Sequence, residues 1–181
     1  ASYFRKVSVL GVVGSDFPKK YWDLYKNFNI NIDNIEIKDG QTFRWGGKYS
    51  DDYNSRETLF TKLGVFDNYI PMINNTLNNS KFIFLGNIHP DMQMSIIEKA
   101  TSEQIIILDT MNLWINISYN SLMKVISNSN IFLLNDEEAF LLTNTNMIEN
   151  AAEELMQMGP ETIIIKKGSQ GAYLYDKKNN I

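Results

Sequence analysis

Ile131-Phe132-Leu133-Leu134-Asn135-Asp136-Glu137-Glu138 decides the fold class of this chain. Four apolar residues, too few for a buried helix, stop at a polar run that opens on an amide and carries acids where a helix would have its first turn. This is a buried strand feeding directly into a helix, the join at which βαβ units are built. The same alternation runs outward in both directions. Downstream, Ile148, Ala151, Ala152, Leu155 and Met156 form an i, i+3, i+4, i+7, i+8 stripe, and Gly159-Pro160 stops it before a strand at residues 162–165. Residues 168–171 then lead into a last strand at 172–175. Upstream, strands are expected at 105–108, 81–85 and 7–12. The intervening helices carry Leu122, Val125 and Ile126 on one face, then Met92, Ile96 and Ala100, then Tyr21, Tyr25 and Phe28 behind Pro18. A short helical tail is expected before residue 7.

Residues 35–66 break the rhythm. The runs 41–49 and 58–66 alternate without a helical period and read as an antiparallel pair standing off the main sheet as a flap, with Gly46-Gly47 and residues 50–55 as hinge or turn. Flaps of this kind often cover ligands. The expected organisation is an α/β domain at 1–34 and 67–181, with a mostly parallel central sheet, and a β-lid excursion at 35–66. The pairs Asn74-Asn75, Asn78-Asn79 and Asn179-Asn180 read as turns.

Composition narrows the function classes. With 181 residues one core suffices, and a net charge of −4 offers no basic field for a phosphodiester backbone, so nucleic acid is not the expected ligand. The absence of cysteine rules out disulfides and thiolate metal sites and fits a reducing compartment, with the cytoplasm as the default. No apolar run approaches the roughly 20 residues that span a bilayer, and no membrane association is expected. The chain lacks G-x-G-x-x-G after its strands and has no G-x-x-x-x-G-K-[ST], which weakens dinucleotide-binding and P-loop readings.

In a parallel sheet, ligands gather beyond the carboxyl ends of the strands. Here those positions are polar: Gly14-Ser15-Asp16, Gly86-Asn87-Ile88-His89, Asp109-Thr110-Met111-Asn112, residues 135–138 and Lys166-Lys167-Gly168. Asn135 and Glu138, three apart at a helix start, can organise a hydrated divalent cation near phosphate, or simply form a capping box. Gly168 and Gly171 admit unusual dihedrals and close backbone approach, useful to a nucleotide and equally to a tight turn. Lys166 and Lys167 can supply positive charge near phosphates or lie solvated. Asp109 can orient a ligand hydroxyl or a metal-bound water with Asn112 beside it, or both can serve the loop. Arg44 and Trp45 can clamp an oxygen-rich substrate, or pack across the strand pair. His89, the only histidine, reads as a loop residue.

Taken in order, these segments resemble the ribokinase-like (PfkB) family of carbohydrate and nucleoside kinases. Residues 11–17, Gly-Val-Val-Gly-Ser-Asp-Phe, are similar to its G-x-V-G-x-D element, and 41–66 falls where the family carries its β-lid. Asp109-Thr110-Met111-Asn112-Leu113-Trp114 is similar to its D-x-N segment, with one extra residue and no following Arg. Asn135-Asp136-Glu137-Glu138 matches N-x-x-E, and residues 167–172, Lys-Gly-Ser-Gln-Gly-Ala, match K-G-x-x-G-A. The resemblance implies a three-layer α/β fold with a small antiparallel lid, and transfer of the ATP γ-phosphoryl group to a hydroxymethyl group of a sugar or nucleoside with Mg2+ bridging the phosphates. It implies that Asn135 and Glu138 organise the metal, that Asn135, Lys167, Gly168 and Gly171 border the nucleotide, and that Arg44, Trp45, Asp109 and Asn112 contact the acceptor. The family's catalytic aspartate, in its G-A-G-D motif, is expected beyond Ile181, so none of these residues is expected to be the base. The Gly-Gly substrate motif is expected before Ala1. Homodimerisation through the lid occurs in parts of the family, and the mixed polar and aromatic lid leaves it open here. A non-catalytic metabolite-binding protein of the same fold is the alternative.

Overall fold

The alternation of Ile30 and Ile32 with Ile35 and Ile37 changes phase at Asp33-Asn34, and the structure shows why. The computed structural model describes residues 1–49, 56–67, 69–72 and 79–178. It divides into two compact units, Ala1–Asn74 and Asn75–Ile181. In the first, strand β1 (Val7–Gly14), helix α1 (Lys19–Asn27) and strand β2 (Ile30–Lys38) form a βαβ unit with β1 and β2 parallel. Between the pairs Ser8↔Asn31 and Leu10↔Asn34, β2 uses one residue more than β1. The bulge restores the apolar phase, and it disguises a nine-residue strand that the alternation alone does not reveal. Asn29, with φ 52°, turns the chain from α1 into β2, a left-handed position that Asn tolerates. Residues before Val7 form a turn, in which the Phe4 and Arg5 N–H groups donate to Ala1 O, and not the expected helical tail.

Strands β3 (Arg44–Tyr49) and β4 (Arg56–Lys62) form the expected antiparallel pair. Its second strand stops earlier than the apolar pattern suggests, because Gly64 (φ 55°) opens a 3-10 turn, Gly64–Phe66. Gly46 and Gly47 are not a hinge. They lie inside β3 at a register shift, where a Cβ on Gly46 would run into the Phe60 ring and one on Gly47 into the Trp45 ring. The glycines make room for aromatic rings laid over the ladder, so a sequence signal for flexibility marks close packing instead. Residues 50–55, the expected turn, fall outside the described residues.

In the second unit, β5 (Phe82–Leu85), α2 (Pro90–Ile97), β6 (Ile105–Asp109), α3 (Asn112–Ile117), α4 (Tyr119–Ser127), β7 (Ile131–Asn135), α5 (Asp136–Thr143), α6 (Ile148–Gln157), β8 (Thr162–Lys166) and β9 (Ala172–Asp176) follow one another. Among the described residues the sheet order is β5-β6-β7-β8-β9, parallel through β8, with β9 returning antiparallel. Successive strand residues point to opposite faces, and one face is closed: Leu108, Phe132, Leu134, Ile163 and Ile165 are all 0 % exposed. Leu122, Val125 and Ile126 of α4 and Ala151, Ala152 and Leu155 of α6 cover that face at helical spacing, also at 0 %. On α2 the buried residues are Pro90, Gln93 and Ile96, so the inward stripe runs through a glutamine and not through the expected Met92 and Ala100. No helix among the described residues is long and apolar enough to cross a membrane.

Candidate functional site

In the second unit four parallel strands deliver their carboxyl ends side by side, and four of the polar segments singled out by sequence fall there; the fifth, Gly14-Ser15-Asp16, follows β1 in the first unit. β7 ends in Asn135, which sits in register with Lys166 of β8. Asn135 starts α5 as a capping box: the Glu138 N–H donates to Asn135 Oδ1 at 2.7 Å, and the Asn135 N–H donates to Glu138 Oε2 at 2.8 Å. The capping reading of this motif is therefore structurally complete. It does not exhaust the chemistry. Glu138 is only 6 % exposed, and Asp136 and Glu137 share its turn. Three acids at a helix start complement the positive end of the helix and leave no welcome there for a bare phosphate. That charge is compatible with a hydrated divalent cation, met through its water.

Lys166 reaches past the end of β7 to Asp109 at the end of β6, its Nζ donating to Oδ1 at 3.1 Å. One member of the lysine pair is thus engaged across two strands, with both side chains partly exposed, at 47 and 25 %. Lys167 turns the other way and lays its Nζ over the Tyr173 ring, 5.7 Å from the centroid. The turn that follows is fixed by glycine dihedrals: Gly168 has φ 53° and Gly171 φ 93°, and a Cβ at either would meet nothing within 4 Å. Backbone conformation, and no crowding neighbour, demands these glycines, and the space beside them is open. Asn112 is exposed at the first position of α3. Trp114, two residues on, donates its Nε1–H to Asn87 Oδ1 at 2.8 Å and meets the His89 ring edge-on at 5.1 Å. His89 itself caps α2, its Nδ1 accepting the Asp91 N–H at 3.2 Å.

Arg44 and Trp45 belong to the first unit. Arg44 is held by Asp16, Nη2 to Oδ2 at 2.7 Å, and Trp45 donates its Nε1–H to Thr58 Oγ1 at 3.3 Å. Asp16 Oδ1 also accepts the Thr42 N–H and the Thr42 hydroxyl, both at 2.7 Å. The Thr42 hydroxyl in turn accepts the Gly14 N–H at 2.9 Å. Hydrogen bonds from Thr42, first from its hydroxyl and then from its backbone, with Arg44 adding to them, lower the Asp16 pKa from 3.8 to about 2. A carboxylate whose pKa falls on folding contributes stability that is present above its unfolded value and lost as pH drops through the folded one. Urea titrations between pH 5 and pH 2 are expected to show acid destabilisation beginning near 3.8 and completing near 2. In Asp16→Asn that component is expected to be absent. An acid limb identical in both proteins counts against the assignment.

The sequence pattern of the pfkB family carbohydrate kinases matches residues 1–181. The chain belongs to that family. A cytidine kinase from Thermococcus kodakarensis is 22 % identical over 175 residues, covering 94 % of this chain and 62 % of the relative. The crystal structure of the Methanocaldococcus jannaschii nucleoside kinase superposes with a TM-score of 0.73 at 22 % identity, over 96 % of this chain and 56 % of that one. Arabidopsis thaliana ribokinase, complexed with ribose and ATP, superposes with a TM-score of 0.75 at 16 % identity, over 98 % and 60 %. The chain thus spans about 60 % of the length of these relatives. The mostly parallel sheet with its small antiparallel pair is the fold they share.

In this pfkB-family chain, no three acidic or histidine side chains converge on a closed metal cage among the described residues. The donor set that is present, one buried carboxylate already bonded to its own helix turn and one amide, fits residues that would hold water of a hydrated Mg2+ and not a direct protein cage. Sequence reasoning passed over Gln93, a residue 1 % exposed at the rear of this pfkB-family strand-end cluster. A lone glutamine three residues before Ile96 on an inward helical stripe was the available signal.

Proposed function

We propose that the full-length protein transfers the γ-phosphoryl group of ATP to a hydroxymethyl group of a carbohydrate, free or as the ribosyl part of a nucleoside, in the cytoplasm. The observation that carries this reading is the row of strand ends in which a buried carboxylate at a helix start, an Asp–Lys pair spanning two strands and an open glycine turn stand side by side. Phosphoryl transfer needs little covalent help from protein; it needs positioned charge and excluded water. Magnesium, when bound with ATP, neutralises charge across the phosphate oxygens. Glu138 and Asn135 would hold water around it, and Asn135, Lys167, Gly168 and Gly171 would border the nucleotide. Asp109 and Asn112 face the acceptor, with Lys166 keeping the Asp109 carboxylate in one orientation. The antiparallel pair β3–β4 is the lid in this reading, with Arg44 and Trp45 as its acceptor-contacting residues, and the Asp16 pair fixes where the Arg44 guanidinium points. The names of the cytidine and nucleoside kinase relatives favour a nucleoside over a free sugar.

The test is acceptor-dependent ADP release by the full-length protein with Mg-ATP against ribose, fructose, cytidine, adenosine and other nucleosides. Turnover with one acceptor and none without it is the expected result. Thermal protection by Mg-ATP with no turnover on any acceptor supports the non-catalytic binding protein instead. Neither protection nor turnover overturns both.

A further inference from the structure

The β5–β6 ladder ends at the pair Leu85↔Leu108. Beyond it the two chains separate, one into residues 86–89 and the other, after Asp109, into residues 110–111. A ladder that stops leaves carbonyls without strand partners, and two of them, Gly86 O and Asp109 O, are taken by one side chain. Gln93 Nε2 donates to Gly86 O at 2.8 Å and to Asp109 O at 3.2 Å. Both hydrogens of that amide are thereby used, and the glutamine supplies the rung that the backbone no longer can.

The placement is costly in a way that identifies it as specific. Gln93 is 1 % exposed on the inward stripe of α2, where an aliphatic residue would pack with no polar group to desolvate. Its Oε1, and the Oγ1 of Thr110 beside Asp109, are buried with no protein partner among the described residues. Core packing does not account for an amide there; the two carbonyls do. Each of the loops it joins carries a site contact. Asp109 receives Lys166 through its carboxylate, and Asn87, one residue past Gly86, receives the Trp114 indole of the helix that Asn112 begins.

We propose that Gln93 is a positioning residue that clamps the loops after β5 and β6 and so sets where Asp109 and Asn112 stand toward the acceptor. The acceptor half of this inference rests on the kinase reading above; the clamp itself does not.

Gln93→Met in the full-length protein fills the same volume and removes both donors. Hydrogen exchange is expected to speed up about 10-fold or more in residues 86–89 and 110–114, while residues 131–135 and 162–166 keep their protection. In turnover, kcat/KM for the acceptor is expected to fall about 10- to 100-fold, with KM for ATP unchanged, because small displacements of positioning groups act on the reacting geometry. If Gln93→Met does not fold, Gln93→Asn, with the same amide one methylene short, is read by the same measurements. Unchanged exchange in both loops overturns the clamp. Faster exchange everywhere, with a lowered urea midpoint and both KM values intact, reduces Gln93 to a core residue and also overturns it. A wild-type protein that turns over no acceptor defeats the kinase reading alone, and the exchange experiment still decides the clamp. Thr110→Val, which removes the neighbouring hydroxyl and leaves the Gln93 donors in place, is expected to leave exchange in residues 86–89 at the wild-type rate.

Discussion

Glu138→Gln in the full-length protein is expected to lower kcat by about 10- to 100-fold and to raise the Mg2+ concentration at half-maximal rate, while the urea midpoint stays close to that of the wild type. The substitution separates the two readings of this residue because its amide oxygen can still accept the Asn135 N–H now held by Glu138 Oε2 at 2.8 Å. Glutamine at this position completes a capping box as glutamate does. The helix start survives and only the negative charge is lost. Glu138→Ala removes both, and should add a stability loss of about 1 kcal/mol, typical of a lost cap, to the loss of rate. Rates and Mg2+ dependence that match the wild type in Glu138→Gln would leave the motif a cap and nothing more.

Fold class was legible because the strongest signals were local. Residues 131–138 place a strand and a helix with no linker, and the stripe Ile148, Ala151, Ala152, Leu155 appears in the structure as the buried face of α6. What escaped notice had a nonlocal cause. The bulge in β2 is defined by its partner β1, so the phase change at Asp33-Asn34 looks like irregularity until the register is known. Gly46-Gly47 reads as a hinge because glycine's usual reason for being present is freedom; here the reason is two rings, Trp45 and Phe60, which only the folded pair brings over it. The site divides the same way. Residue type and position at the strand ends suffice to single out Asp109, Asn135, Glu138 and Lys166. That Lys166 bonds Asp109, 57 positions earlier in the chain, depends on the strand order β6-β7-β8 and is invisible in sequence. Gln93 needed more still, since its partners are backbone carbonyls that become available only where a ladder ends.

The strand on which that site depends should also be the most sensitive to a core deletion. Phe132 is the second residue of β7, flanked by Leu108 on β6 and Ile163 on β8, and all three are 0 % exposed. Phe132→Ala removes a full ring where neighbours on both flanking strands are fixed by backbone pairing and cannot close in. The expected loss is about 3–5 kcal/mol, the range for a phenylalanine truncated in a core that relaxes only partly. It should appear as a lower urea midpoint with an unchanged slope, which marks a change in stability and not in the surface exposed on unfolding. Phe132→Leu keeps the residue apolar, leaves a smaller void and should cost less than the alanine variant. Equal losses for the two would mean that the site is not the packed centre described, since cavity size would then not govern the cost. Asn135 is three residues further along this strand, in register with Lys166 of β8, so the packing around Phe132 also anchors the start of α5, and with it Glu138, at the ends of β7 and β8.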